Sequence, residues 1–144
     1  MLRTAAAAGA DAAFLSKGCA DAWSPKALRG GMGAQFEMAL HEGCDLIEVA
    51  RTFQGKVVAT SLGAVDSLYA LDLSGPIAFA FGNEGAGMSA ALQEAASHRI
   101  RVPMPGKMES LNAAAAAAIC LFERVRQTGS TVFENSNHLI REQK

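Results

Sequence analysis

"RIRVPMPGKMESLNAAAAAAICLFE", Arg99 to Glu123, joins a short apolar run to a long helical one through a loop that holds two prolines, Pro103 and Pro105. The "RIRVPM" part predicts a buried strand, while Leu111, Ala115, Ala118, Phe122 and Val125 trace one face of a helix that stops at Gly129. The prolines stiffen the connection, and the unpaired N–H groups of the helix's first turn favour a polar or anionic guest. Ser110 fits either a helix cap, which requires no function, or a site residue. Asn112 is a poor helix former placed in the first turn, so its amide is expected to serve another partner. The six alanines from Ala113 to Ala118 are small enough for another backbone to approach closely: a strand, a threaded loop, or the same helix of a second subunit.

The same strand, loop and helix order precedes this stretch. "IAFAFGNEGAGMS", Ile77 to Ser89, predicts a buried strand, a glycine loop and the start of the helix "MSAALQEAAS". Gly82, Gly85 and Gly87 allow a sharp turn and a close backbone approach to a ligand. The loop is neither a Walker loop nor a GxGxxG fingerprint. Glu84 has no packing reason to sit between glycines, so it is expected to pair with a cation such as Arg3 or to orient a polar substrate group.

Upstream, "KVVAT" predicts another buried strand, and Leu46, Val49, Ala50 and Phe53 an amphipathic helix ended by Gly55. Gln35 to Leu40 is read as a short strand. Ser24 caps a helix with Pro25 in its first turn, and that helix stops at Gly30 and Gly31. "LRTAAAAGA" predicts a helix from Arg3 to Ala8 with a stop at Gly9, followed by a strand from Ala12 to Leu15. That helix has no N-cap and under about two turns, which leads us to expect a truncated N-terminus. Strands alternating with helices give an α/β domain, with a mainly parallel sheet and helices on both faces. The closing "GSTVFENSNHLIREQK" is a polar, patternless tail over residues 129–144 that is expected to fray, although Val132 and Phe133 can tie down its first part.

Composition narrows the function. The chain has 144 residues, half of them hydrophobic, which suits one domain with one core. No apolar run reaches the roughly 18 residues that span a bilayer, and the N-terminus lacks a secretory pattern, so a cytoplasmic location is expected. A net charge of −1, from 13 basic and 14 acidic residues, provides no global field for a nucleic acid. RNA or DNA contact must then come from a local patch or another domain. Cys19, Cys44 and Cys120 are widely spaced and are read as buried free thiols. Trp23, Met32 and Met38 are read as packing residues, and no role is assigned to His41, His98 or His138.

Taken together, "LRTAAAAGA", "IAFAFGNEGAGMS" and "RIRVPMPGKMESLNAAAAAAICLFE" resemble, in order and spacing, the three motifs of the SpoU/TrmH family of RNA ribose 2′-O-methyltransferases. "SPKALRGGMGAQF" resembles the family's connecting region, so the likeness runs over residues 1–128. It implies a SPOUT fold whose C-terminal segment threads a deep trefoil knot and binds S-adenosylmethionine in a bent conformation, with no metal. Adenine and ribose would rest on backbone around Gly82, Gly87, Val102 and Leu111, with Phe81 and Met104 completing the pocket. Arg3 matches the catalytic arginine, and Glu84, Ser110 and Asn112 its polar partners. The resemblance further implies a ribosomal or transfer RNA substrate, a homodimer with Arg3 near the partner's site, and an absent N-terminal RNA-binding domain. The alternative is a truncated module that binds cofactor or dimerises without catalysis.

Overall fold

The computed structural model describes residues 1–83 and 85–129. Five α-helices and six strands alternate along them: α1 Leu2–Ala7, β1 Ala12–Ser16, α2 Pro25–Gly31, β2 Ala39–Cys44, α3 Leu46–Thr52, β3 Lys56–Thr60, β4 Asp66–Ser67, β5 Ile77–Ala80, α4 Ala90–Ala95, β6 His98–Arg101 and α5 Ala113–Thr128. Single 3₁₀ turns lie at Ala34–Phe36 and Leu68–Ala70. The expected α/β class holds, and every strand pair is parallel. Instead of one sheet there are two: β1 with β2, and a four-stranded sheet in the order β4-β6-β3-β5.

β6, the last strand among the described residues, is therefore interior to its sheet, between two strands that precede it. Ser97 fixes that position. Its hydroxyl accepts from the Val57 N–H at 2.9 Å and lies 3.0 Å from the Val57 carbonyl oxygen, to which it donates. Beyond β3, the Ser61 N–H donates to the Ile100 carbonyl at 2.9 Å. The core collects where these strands meet α5: Val58, Leu68, Leu73, Ile100 and Cys120 are fully buried, and Phe79, Phe81, Val102 and Ile119 pack against them. Helix α1 lies against α5 and α3 against α4.

Local capping follows the sequence reading at α2, and the structure adds a second cap at α4. Ser24 accepts from the Ala27 N–H with Pro25 behind it, and Ser89 accepts from the Leu92 N–H. α1 has no side-chain cap, as expected.

Other expectations need correction. The strand expected over Gln35 to Leu40 is a 3₁₀ turn followed by β2, which runs on to Cys44. Gln35 explains the turn: its buried side-chain amide donates to the Ala22 and Ala27 carbonyls at 3.1 and 3.0 Å, which anchors the chain inward. Leu111 precedes α5 and is 39% exposed, so it is not on that helix's core face. Only Cys120 is a buried thiol, Cys19 being exposed and Cys44 half-buried. Trp23 and Met32 lie at the surface, at 43% and 71% exposure, whereas Met38 does pack inside. Of the tail expected over residues 129–144, all but Gly129 falls outside the described residues, with Val132, Phe133 and His138 among them. Among the described residues no helix is long and apolar enough to cross a membrane.

Candidate functional site

Because β5, β3 and β6 run parallel and adjacent, their C-terminal ends open on one edge of the sheet. The exits of β5 and β6 are separated only by β3, a span of about 10 Å. Both loops singled out in the sequence leave from this edge, the usual place for a ligand in an open α/β sheet.

The first loop is stitched to itself. Asn83 and Gly87 exchange two backbone hydrogen bonds, of 3.0 and 2.8 Å. The Asn83 side-chain oxygen accepts from the Gly85 and Ala86 N–H groups at 2.8 and 3.4 Å. A Cβ on Gly82 would lie 2.5 Å from both the Gly87 carbonyl carbon and the Met88 nitrogen, so only glycine allows the loop to close. Gly87 has φ +69°, in the region that favours glycine. The sequence reading passed over Asn83. An asparagine two residues before a glycine is an Asx-turn signal, and it was available. Glu84 lies outside the described residues.

The second loop is open. Val102 rests on the core cluster and Met104 is half-buried, while Pro105 to Asn112 are exposed. Among the described residues, no hydrogen bond ties the peptide groups from Pro103 to Leu111 to the rest of the chain. Phe81, Val102 and Met104 thus make a half-buried apolar border beside main-chain donors and acceptors free to bind. Such a slot suits a flat heterocycle read by peptide groups.

At the end of this loop the cap is Asn112. Its Oδ1 accepts from the Ala115 N–H at 2.7 Å, which leaves its amide N–H₂ to donate elsewhere. Ser110, a candidate for that cap, is exposed two residues earlier.

The structure thus brings Phe81, Gly82, Gly87, Val102, Met104, Ser110, Leu111 and Asn112 to two neighbouring loops. Arg3 is elsewhere: it is exposed on α1 and lines a separate groove with Phe36 and Glu37. No group of three or more His, Cys, Asp or Glu residues is placed to hold a metal among the described residues.

The groups with perturbed ionisation lie away from both loops. Hydrogen bonds from Arg126 and Gln127, the former at 2.7 and 2.8 Å, hold the Glu123 carboxyl down at about 2. Lys56 and Ser74 do the same for Asp72, also at about 2. Burial pushes the Cys120 thiol up to about 12. These groups anchor α5 and the strand connections.

Comparison with known proteins identifies the family. The model of the SpoU rRNA Methylase family matches residues 1–122. The 23S rRNA (guanosine-2′-O-)-methyltransferase RlmB of Photobacterium profundum is 38% identical over 129 residues, covering 88% of this chain and 53% of that protein. The 23S rRNA (guanosine(2553)-2′-O)-methyltransferase RlmP of Bacillus subtilis is 38% identical over 124 residues, covering 85% and 50%. The crystal structure of an AdoMet-bound rRNA methyltransferase from Sinorhizobium meliloti superposes with a TM-score of 0.80 at 35% identity, covering 87% of this chain and 49% of that one. The chain spans about half the length of the curated relatives it matches.

Proposed function

Since the chain belongs to the SpoU rRNA Methylase family, we propose that it is the catalytic part of an S-adenosylmethionine-dependent enzyme that methylates a ribose 2′-hydroxyl of ribosomal or transfer RNA. The observation that carries this reading is the pair of loops at the exits of β5 and β6, one closed around Gly82 and one whose peptide groups have no partner among the described residues, both within the matched residues. The relatives named for guanosine methylation favour a guanosine target.

The slot fits the cofactor chemically. Backbone at Gly82, Gly87, Val102 and Leu111 reads the adenine and ribose, and Phe81 and Met104 shield them. When bound, S-adenosylmethionine supplies an electrophilic methyl group on a sulfonium. The chain's own residues must position a ribose hydroxyl and help remove its proton. Asn112 can donate its amide N–H₂ while capping α5, and Ser110 and Glu84 supply further polar contacts to the ribose. Arg3 is a poor base at its ordinary pKa, so its role is to hold a phosphate or to stabilise the developing oxyanion.

The finer architecture belongs to the same proposal. The placement of β6 between β3 and β4 supports a knotted C-terminal segment, because residues 61–65 must connect two strands that flank it. The exposed Leu111 and Phe122, at 39% and 47%, support a homodimer through the α5 region. The relatives' additional length supports RNA capture by a further domain, and the RNA substrate supports a cytoplasmic location.

Calorimetric titration with S-adenosylmethionine, followed by transfer of a labelled methyl group to rRNA, tests this reading. We expect binding near or below the micromolar range and label at ribose, lost in Arg3→Ala. No binding at millimolar cofactor would sink the cofactor assignment. Intact binding without transfer, even with the full-length protein, would leave a non-catalytic binding module.

A further inference from the structure

A groove of about 820 Å³ runs between α1, the turn from Met32 to Glu37 and the start of β2. Its volume is in the range of small-ligand sites. Ala6, Ala7 and Ala10 give it small side chains, and the charged and aromatic residues along it are Arg3, Asp11, Glu37 and Phe36.

Phe36 is the feature that packing does not explain. The residue is 76% exposed although it sits in a pinned turn. The Trp23 ring meets it edge-on, with centroids 5.6 Å apart and planes at 63°. Its N–H donates to the Gly33 carbonyl at 2.9 Å, and its neighbour Gln35 is buried and bonded to the Ala22 and Ala27 carbonyls. A ring held this firmly and left in water is a stacking platform, the device by which proteins hold unpaired bases.

The charges divide the remaining work. A guanidinium suits phosphate. Carboxylates repel phosphate and accept from N–H donors, so they suit a base edge. On its Watson–Crick edge only guanine offers two adjacent donors, N1–H and N2–H₂, to one carboxylate. Glu37 directly follows the ring and has the longer reach of the two acids.

We propose that this groove seats an unstacked guanine nucleotide of the RNA, its base on Phe36, its Watson–Crick edge donating to Glu37 and its phosphate on Arg3. The assignment rests on the reading of the chain as an RNA-modifying protein, and it adds a substrate seat in a groove that shares no lining residue with the two loops.

Trp23 is the only tryptophan in the chain, and it touches Phe36, so its fluorescence reports occupancy without any methyl transfer. The protein is titrated with guanosine and adenosine 5′-monophosphates and with guanine- or adenine-centred RNA pentamers, with calorimetry in parallel. We expect saturable quenching by the guanine ligands and about tenfold weaker binding of the adenine ones. Phe36→Ala should weaken guanine binding by about tenfold, and Phe36→Tyr should retain it. Glu37→Gln should narrow the guanine preference without unfolding the chain, as checked by a circular dichroism melt. Absence of saturable binding, or equal guanine and adenine affinity in the parent, would overturn the proposal. So would a Phe36→Ala variant that changes oligomeric state in sedimentation but leaves nucleotide binding intact. A parallel titration with S-adenosylmethionine separates the two readings: cofactor binding without guanine binding removes only the groove assignment, and the converse removes only the methyl-transfer one.

Discussion

Replacing Gly82 with alanine tests whether the closed β5 loop is what prepares the cofactor slot. The added Cβ would lie 2.5 Å from the Gly87 carbonyl carbon and the Met88 nitrogen, and 2.8 Å from the Gly87 oxygen. These are backbone atoms that no side-chain rotation can clear. To relieve the contact the Gly87–Met88 segment must move away, and the two hydrogen bonds between Asn83 and Gly87, of 3.0 and 2.8 Å, are the first to be lost. At about 1 kcal/mol each, they represent about 2 kcal/mol of loop order. If the bound state requires the closed loop, that energy is charged to binding, and affinity for S-adenosylmethionine falls about 30-fold. Calorimetry measures the loss directly, and thermal unfolding shows how much of the perturbation also reaches the fold. Gly30→Ala, outside both loops, is the control, because its Cβ would meet nothing within 4 Å. A Gly82→Ala protein that binds the cofactor within threefold of the parent would refute the argument, since the loop would then close by another route or not matter.

Asn112 has two separable roles. Asn112→Ala removes a cap worth about 1 kcal/mol and should lower Tm by about 3–5 °C, while Asn112→Asp should restore Tm but leave methyl transfer at least about tenfold down. Recovery of both by aspartate would mean that the cap is the whole function. Gln127 joins α5 to the segment before β5, accepting from the Leu73 N–H at 2.9 Å and donating to the Leu71 carbonyl at 3.1 Å. Gln127→Leu leaves a donor on the fully buried Leu73 unpaired, so urea unfolding should show about 1–3 kcal/mol of destabilisation, and an unchanged midpoint would contradict that accounting. Glu123 and Asp72 have folded values of about 2, below the ordinary 4.5 and 3.8, so their stabilisation is present above those ordinary values and is lost as pH falls toward 2. Urea midpoints measured from pH 6 downward should therefore drop below about pH 4.5, and Glu123→Gln should flatten the drop; an equally steep fall in that variant would assign the acid sensitivity to other groups.

Much of the fold was legible because several elements carry their own signal. "KVVAT" and "IAFA" are short apolar runs that form adjacent strands, the first buried at its centre and the second half-buried, and Ser24 stands where a cap belongs. β2 carries no such signal. Its six residues, "ALHEGC", are exposed or at most half-buried. No period marks it, and only its pairing with β1, from Ala12 opposite Ala39 to Ser16 opposite Cys44, makes it a strand. The two-residue β4 is equally silent, since it exists only as a partner for β6.

The site divides in the same way. The glycine loop and the proline loop were readable because a local rule, strand then turn then helix N-terminus, places both at one sheet edge. Which residue caps α5 was not readable: Ser110 and Asn112 both satisfy the chemistry of a cap, and the choice depends on where the chain leaves the loop at Pro105, which no local rule supplies. Arg3 was singled out by its motif, but Phe36 was not readable, for a different reason. Sequence patterns assign large apolar residues to the core by default, yet Trp23, Met32 and Phe36 are exposed around the groove that Arg3 lines. A core residue is explained by its neighbours, and a periodicity can anticipate those neighbours. A ring kept in water by a pinned turn has no packing partner to explain it among the described residues beyond the Trp23 edge, which is the observation behind the nucleotide proposal. The two loops carry their signal in local motifs, whereas the groove beside Arg3 depends on the exposure of Phe36, which only the folded chain reveals.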